Sequence, residues 1–66
     1  MDVASIFERR GGYRAVADLL GKNPNTVLYW ERRNRIPAEY VLEVERVTGV
    51  SRHIINPKLY PAEAAQ

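Results

Sequence analysis

Cysteine is absent from the 66 residues and histidine occurs once. The first absence excludes disulfides, thiol nucleophiles, cysteine-ligated zinc and thioether-attached haem, and a single histidine cannot furnish a two-histidine metal face. Long apolar runs are lacking as well. The longest, Val27-Leu28-Tyr29-Trp30, falls far short of the roughly eighteen residues a membrane helix needs, and no basic-then-apolar leader pattern opens the chain. The expectation is a cytoplasmic chain with no membrane partner and no cofactor. Length leaves no room for a second core, so residues 1–66 read as one domain. A core of this size leaves little surplus over chain entropy, so stability must come from densely packed helices or from a second copy.

Charge of one sign is also scarce, since the net balance is only +2. Its distribution is more informative. Residues 9–35 carry Arg9, Arg10, Arg14, Lys22, Arg32, Arg33 and Arg35 against Asp18 and Glu31, a local +5, whereas residues 1–8 come to −2 and residues 36–66 to −1. A basic island lies between two mildly acidic ends.

Four glycines and four prolines divide the chain into short apolar-periodic stretches, the spacing of a small helical domain. After Asp2 as N-cap, Val3, Ile6, Phe7 and Arg10 share one stripe up to Gly11-Gly12, which predicts helix 1. Tyr13, Val16, Ala17 and Leu20 predict helix 2, ended by Gly21 in a left-handed conformation. Asn23-Pro24 supplies a cap and a first-turn proline for helix 3, running to about Arg33. Pro37, also placed in a first turn, opens helix 4, with Tyr40, Val41, Val44 and Val47 inward and an end at Thr48-Gly49. From Ser51 a short helical turn can carry Arg52 to Ile55. The weaker alternative pairs His53 to Ile55 with Leu59-Tyr60 as two very short strands.

Helix 2, a three-residue turn and helix 3, about residues 13–33, have the requirements of a helix-turn-helix. Two steeply crossing helices need a small residue where they touch, supplied by Ala17, and a turn tolerant of positive φ, supplied by Gly21. Val16, Leu20, Val27 and Trp30 then fill the wedge between them. With Pro24 at zero and about 100° per residue, Val27 and Trp30 set the buried direction near 270°. Opposite, near 90°, fall Arg32 at about 80°, Asn25 at about 100°, Leu28 at about 40° and Tyr29 at about 140°. This is the face that a recognition helix lays into the major groove of double-stranded DNA. Asn can bond adenine bidentately, Arg can do so with guanine, and Leu or Tyr can touch a thymine methyl. Arg14, Lys22, Arg33 and Arg35 surround that face, where phosphate contacts fix register without reading sequence.

The run GGYRAVADLLGKNPNTVLYWERRNRIP resembles the helix-turn-helix of phage Cro-type repressors and lambda-repressor-like DNA-binding domains. Through IPAEYVLEVERVTGVSRHIINPKLYP the chain is similar to the YdaS-like group of Cro-related prophage proteins, described as antitoxins, with a closing Pro57-Lys58-Leu59-Tyr60-Pro61 tail. The resemblance covers about residues 4 to 61. It implies an all-α fold, a compact four- or five-helix lambda-repressor-like domain that binds operator DNA as a homodimer. It assigns Ala17, Gly21, Val27 and Trp30 to the scaffold and Asn23, Asn25, Leu28, Tyr29 and Arg32 to the groove-facing set. Leu28 and Tyr29 depart from the small or amide residues such helices often present, so the operator sequence does not follow.

Plainer readings stand beside these. Trp30 is core packing before it is a stacking platform. Asn25 either reads a base or supports the cap, Leu28 either touches a thymine methyl or packs on a neighbouring helix, and Tyr29 either touches a base or bonds a phosphate. His53 reads as a surface residue, and Glu39, Glu43 and Arg46 as pairs along helix 4. No nucleophile and base, phosphate loop or metal set can be assembled, so the expectation is a protein that is not an enzyme. The apolar residues left over, Leu42, Ile54, Ile55, Leu59 and Tyr60, are the candidate dimer surface. The sequence thus points to a Cro-like regulator acting as a homodimer, associated with the nucleoid. The alternative is an antitoxin-type module that masks a toxin partner through its apolar tail.

Overall fold

The computed structural model describes residues 1–61. Five helices follow in chain order: α1 Val3–Glu8, α2 Tyr13–Leu20, α3 Pro24–Arg33, α4 Val41–Thr48 and α5 Arg52–Ile55, with a 3-10 turn at Ala38–Tyr40 before α4. Among the described residues there is no strand, so the strand pairing of His53–Ile55 with Leu59-Tyr60 gives way to α5 and a turn.

Side-chain caps and glycines set the boundaries. Asp2 accepts a hydrogen bond from the Ser5 N–H at 2.9 Å, and the Ser5 side chain together with that N–H holds its carboxyl below the ordinary carboxylate value. Asn23 does the same for the Asn25 N–H at 2.8 Å, and Ser51 for the His53 N–H at 3.2 Å. Gly21 ends α2 at φ 69° and Gly49 ends α4 at φ 77°, a region that costs an L side chain about 1–2 kcal/mol. Asn34 ends α3 in the same region at φ 53°, the only non-glycine among the described residues to do so. Its amide has a second role: Asn34 Oδ1 accepts from the Val3 N–H at 2.9 Å, satisfying an orphan donor at the start of α1. The end of α3 is thereby tied to the beginning of the chain.

Helix 4 differs from expectation at its entrance. Pro37 lies outside the helix with extended backbone, ψ 141°, and accepts from the Tyr40 N–H to close the 3-10 turn. Only from Val41 does the α-helix begin, because Tyr40 sits at φ −108°, ψ 0°, outside the helical region. Arg10 also falls outside α1, in the turn that follows, so it extends no helical stripe. Its Nε instead donates to the Val47 carbonyl at 2.6 Å, placing a positive charge at the C-terminal end of α4.

Phe7, Val16, Ala17, Val27, Val41 and Val44 are fully buried, and Ile6, Trp30, Ile36 and Val50 close the same core. Tyr13, Leu20, Tyr40, Ile55 and Tyr60 pack around it half-buried. The one buried polar side chain among the described residues, Thr48, donates to the Val44 carbonyl at 2.7 Å and accepts from the Val50 N–H at 3.2 Å, so its burial leaves no unmet group. The most extensive helix pairing is α2 on α3. That pairing holds the candidate site.

Candidate nucleic-acid interface

Gly21, Lys22 and Asn23 join α2 to α3. The Lys22 N–H donates to the Ala17 carbonyl at 2.9 Å, and the left-handed Gly21 lets the chain reverse within three residues. Ala17, with no exposure, lies in the crossing, and Val16, Val27 and Trp30 bury the wedge. Leu20, assigned to the same wedge, is half-buried at its edge. Trp30 has a structural place: it is 4% exposed and its ring lies 5.0 Å from that of Tyr40.

With Val27 and Trp30 inward, α3 turns Asn25, Tyr29 and Arg32 to solvent, Tyr29 being 58% exposed. Leu28 is half-buried at one margin of this face, so part of its surface packs on the protein. Asn23 is exposed, but its Oδ1 is engaged by the Asn25 N–H and only its amide nitrogen is left to donate outward. Thr26, exposed beside Asn25 in the same first turn, was not singled out by the helical projection. Its hydroxyl adds a donor and an acceptor next to the groove-facing set.

The cations divide into two kinds. Arg32 and Arg35 are exposed, and their side chains make no hydrogen bond or ion pair among the described residues. Arg33 is exposed with its guanidinium 5.6 Å from the Tyr29 ring, and Arg14 lies 5.7 Å from the Tyr13 ring with Nε donating to the Tyr13 hydroxyl at 3.3 Å. Stacking of this kind leaves guanidinium N–H groups free for a phosphate. Lys22 is different. Its Nζ donates to the Tyr40 hydroxyl and sits 4.4 Å from the Tyr40 ring centroid, and that hydrogen bond raises its pKa above the ordinary lysine value. It pins the turn to the 3-10 turn and is the least free of the four cations assigned to phosphate.

The remaining charged residues lie elsewhere. Glu45 and Arg52 form an ion pair at 3.0 Å, with Glu45 also accepting from the Arg52 N–H; these bonds lower the Glu45 pKa. Glu39, Glu43 and Arg46, expected to pair along α4, form no ion pair among the described residues. His53 is half-buried rather than a free surface residue, its Nδ1 2.7 Å from the Tyr60 carbonyl. Lys58 joins Arg33 and Arg35 along one groove. The sequence carries no sign of that neighbourhood, since it arises from a turn in which Asn56 Oδ1 accepts from the Leu59 N–H at 3.0 Å.

Compared with known protein families, residues 3–63 match the family described as Bacterial toxin YdaS. The chain belongs to the YdaS family. The match embraces α1 to α5 and the Pro57-to-Pro61 tail, so membership covers the helix pair and its supports together. YdaS members of this kind are small helical prophage proteins, and the family is named for a toxin where the resemblance suggested an antitoxin. No curated protein and no solved structure matches the chain. Among the described residues of this YdaS chain, no helix is long and apolar enough to cross a membrane, and no three acidic or histidine side chains are grouped to hold a metal.

Proposed function

We propose that this YdaS-family chain is a sequence-specific, double-stranded DNA-binding regulator of Cro type, a repressor that lays α3 in the major groove. The observation that carries the reading is the outward face of α3. Asn25, Tyr29 and Arg32 project from a helix packed on α2, and the exposed cations Arg14, Arg33 and Arg35 flank them with no carboxylate partner among the described residues. Arg32 reads a guanine, Asn25 an adenine, and Tyr29, Leu28 and Asn23 complete the groove contacts, while the flanking cations hold phosphates and Lys22, the fourth cation assigned to that set, stays engaged by Tyr40. The reading is of a binding protein, not an enzyme, acting at the nucleoid.

A homodimer follows from the small number of contacts one copy can make, since two recognition helices about 34 Å apart can enter successive major grooves on one side of the duplex. Leu42, Ile54 and Leu59, between 46% and 49% exposed, support that interface, together with Leu19 at 50%. Ile55 and Tyr60, also assigned to the dimer surface, spend much of their area on the core of their own chain.

Footprinting on DNA flanking the gene tests the proposal. A short protected site that Arg32→Ala weakens by about 1–3 kcal/mol, with relaxed preference at one base pair, is the expected result. Uniform protection, or an unaltered preference in Arg32→Ala, refutes the groove-face assignment. The second reading, a toxin–antitoxin interaction module, is favoured by the family description and by the exposed apolar tail around Leu59.

A further inference from the structure

Between α1, the segment after α3 and the C-terminal turn runs an open groove of about 870 Å³. Val3, Ile6 and Ile36, each nearly buried, show their edges at its base, and Ile55, Pro57 and Leu59 form the wall contributed by α5 and the tail. Leu59 is 49% exposed, an apolar side chain turned to solvent on a loop. Arg33, Arg35 and Lys58 stand along the edges, all exposed, and among the described residues no aspartate or glutamate lines the groove. Two uncharged polar residues also line it: the Asn34 Oδ1 is engaged by the Val3 N–H and the Asn56 Oδ1 by the Leu59 N–H.

These features match one kind of occupant. A phosphate backbone needs the cations but gains nothing from an apolar base, and a neutral apolar segment gains nothing from three unpaired cations. The geometry points to a docking site for an acidic, apolar segment of a partner protein, its large side chains against Ile36, Ile55 and Leu59 and its carboxylates against Arg33, Arg35 and Lys58. Amphipathic segments seat in apolar grooves in this manner, and the cations select acidic ones. Arg33 and Arg35 also belong to the phosphate set, so an occupied groove withdraws two phosphate contacts from each protomer. The competition rests on the DNA-binding reading; the docking does not.

The test is an NMR titration of the isotope-labelled full chain with a short synthetic peptide alternating Leu-Phe and Asp-Glu pairs. A control peptide carries Lys in place of every acidic residue. The expected result is amide shifts centred on Asn34, Ile36, Ile55 and Leu59, with half-saturation on the order of 100 μM, and no such shifts with the control. Leu59→Asp weakens the acidic peptide at least about tenfold while Leu59→Met retains it. The helical circular-dichroism signal of both variants stays as in the parent chain. Absence of shifts, shifts confined to the Leu42 and Ile54 surface, or equal binding of the control overturns the proposal. So does a titration in which duplex DNA moves Lys58 and Leu59 and the peptide moves nothing, because the groove is then a nucleic-acid surface. If the peptide binds as described and no duplex is bound at all, the docking site stands and the DNA-binding reading falls.

Discussion

The proposed DNA binding implies a salt dependence set by how the cations are disposed, and that dependence separates the free ones from the one already engaged. Each phosphate neutralised by a lysine or arginine releases condensed counterion, so log K falls with log salt at a slope of about −0.9 per contact on B-form duplex. Arg14, Arg33 and Arg35 are exposed and have no carboxylate partner among the described residues, whereas Lys22 is held on Tyr40. Three contacts per protomer give a slope of about −2.7, and a homodimer about −5.4. Between 50 and 200 mM KCl a protomer then loses about 40-fold in affinity and a dimer about 2,000-fold. Fluorescence anisotropy of a labelled duplex carrying the footprinted site measures this directly. Arg33→Gln lowers the dimer slope by about 1.8, and Lys22→Gln leaves it unchanged. An equal drop in Lys22→Gln shows that the lysine leaves Tyr40 for a phosphate. A slope shallower than about −2 with Arg33→Gln indistinguishable from the parent refutes the phosphate assignment altogether.

Trp30→Ala removes the largest side chain of the helix-turn-helix wedge and its contact with Tyr40; a loss of about 3–5 kcal/mol is expected in urea unfolding followed by circular dichroism, enough to leave much of so small a domain unfolded. Asn34→Gly loses only the cap on Val3, about 1 kcal/mol, whereas Asn34→Ala adds the left-handed strain of about 1–2 kcal/mol; equal urea midpoints for the two refute the assignment of both roles to Asn34. The depressed carboxyl of Glu45 contributes stability that is fully present above the ordinary value of 4.5 and lost as pH falls through its lowered pKa in the fold. Thermal melts of Glu45→Gln should therefore lie below those of the parent chain at neutral pH and converge with them in acid, and parallel curves down to pH 2 refute the linkage. The raised pKa of Lys22 works in the opposite direction: its bond to Tyr40 stabilises fully below the ordinary lysine value of 10.5 and is lost as pH rises through the raised one.

The elements that could be read from the sequence are those whose signals are local. Asp2, Asn23 and Ser51 cap because a short polar side chain reaches an N–H two or three residues ahead, and Gly21 and Gly49 end helices through their own backbone freedom. Such information lies within a few residues, so the bounds of α2, α3 and α5 follow from it. The entrance of α4 did not. Pro37 is compatible both with a first turn and with an extended residue before it. Choosing between them required knowing that Tyr40 packs on Trp30 and receives Lys22, contacts spanning ten and eighteen residues.

The site divides along the same line. Exposure of Asn25, Tyr29 and Arg32 follows from the period of one helix once Val27 and Trp30 fix its buried side, so their direction was legible. What the cations are free to do was not, because freedom depends on partners from other segments. Lys22 looked equivalent to Arg35 in a count of charge, yet one is engaged by Tyr40 and the other is open. Lys58 looked like a tail residue and lies beside Arg33 and Arg35. Arg10, counted in the basic island, is committed to the end of α4. The local +5 of residues 9–35 therefore overstates, at two positions, the cations free to contact a duplex directly, and omits a third cation supplied from outside it. The contacts that withdraw Arg10 and Lys22 tie the chain to α4 and to the 3-10 turn before it, so part of the basic island maintains the pose of the helix pair that the remaining arginines serve.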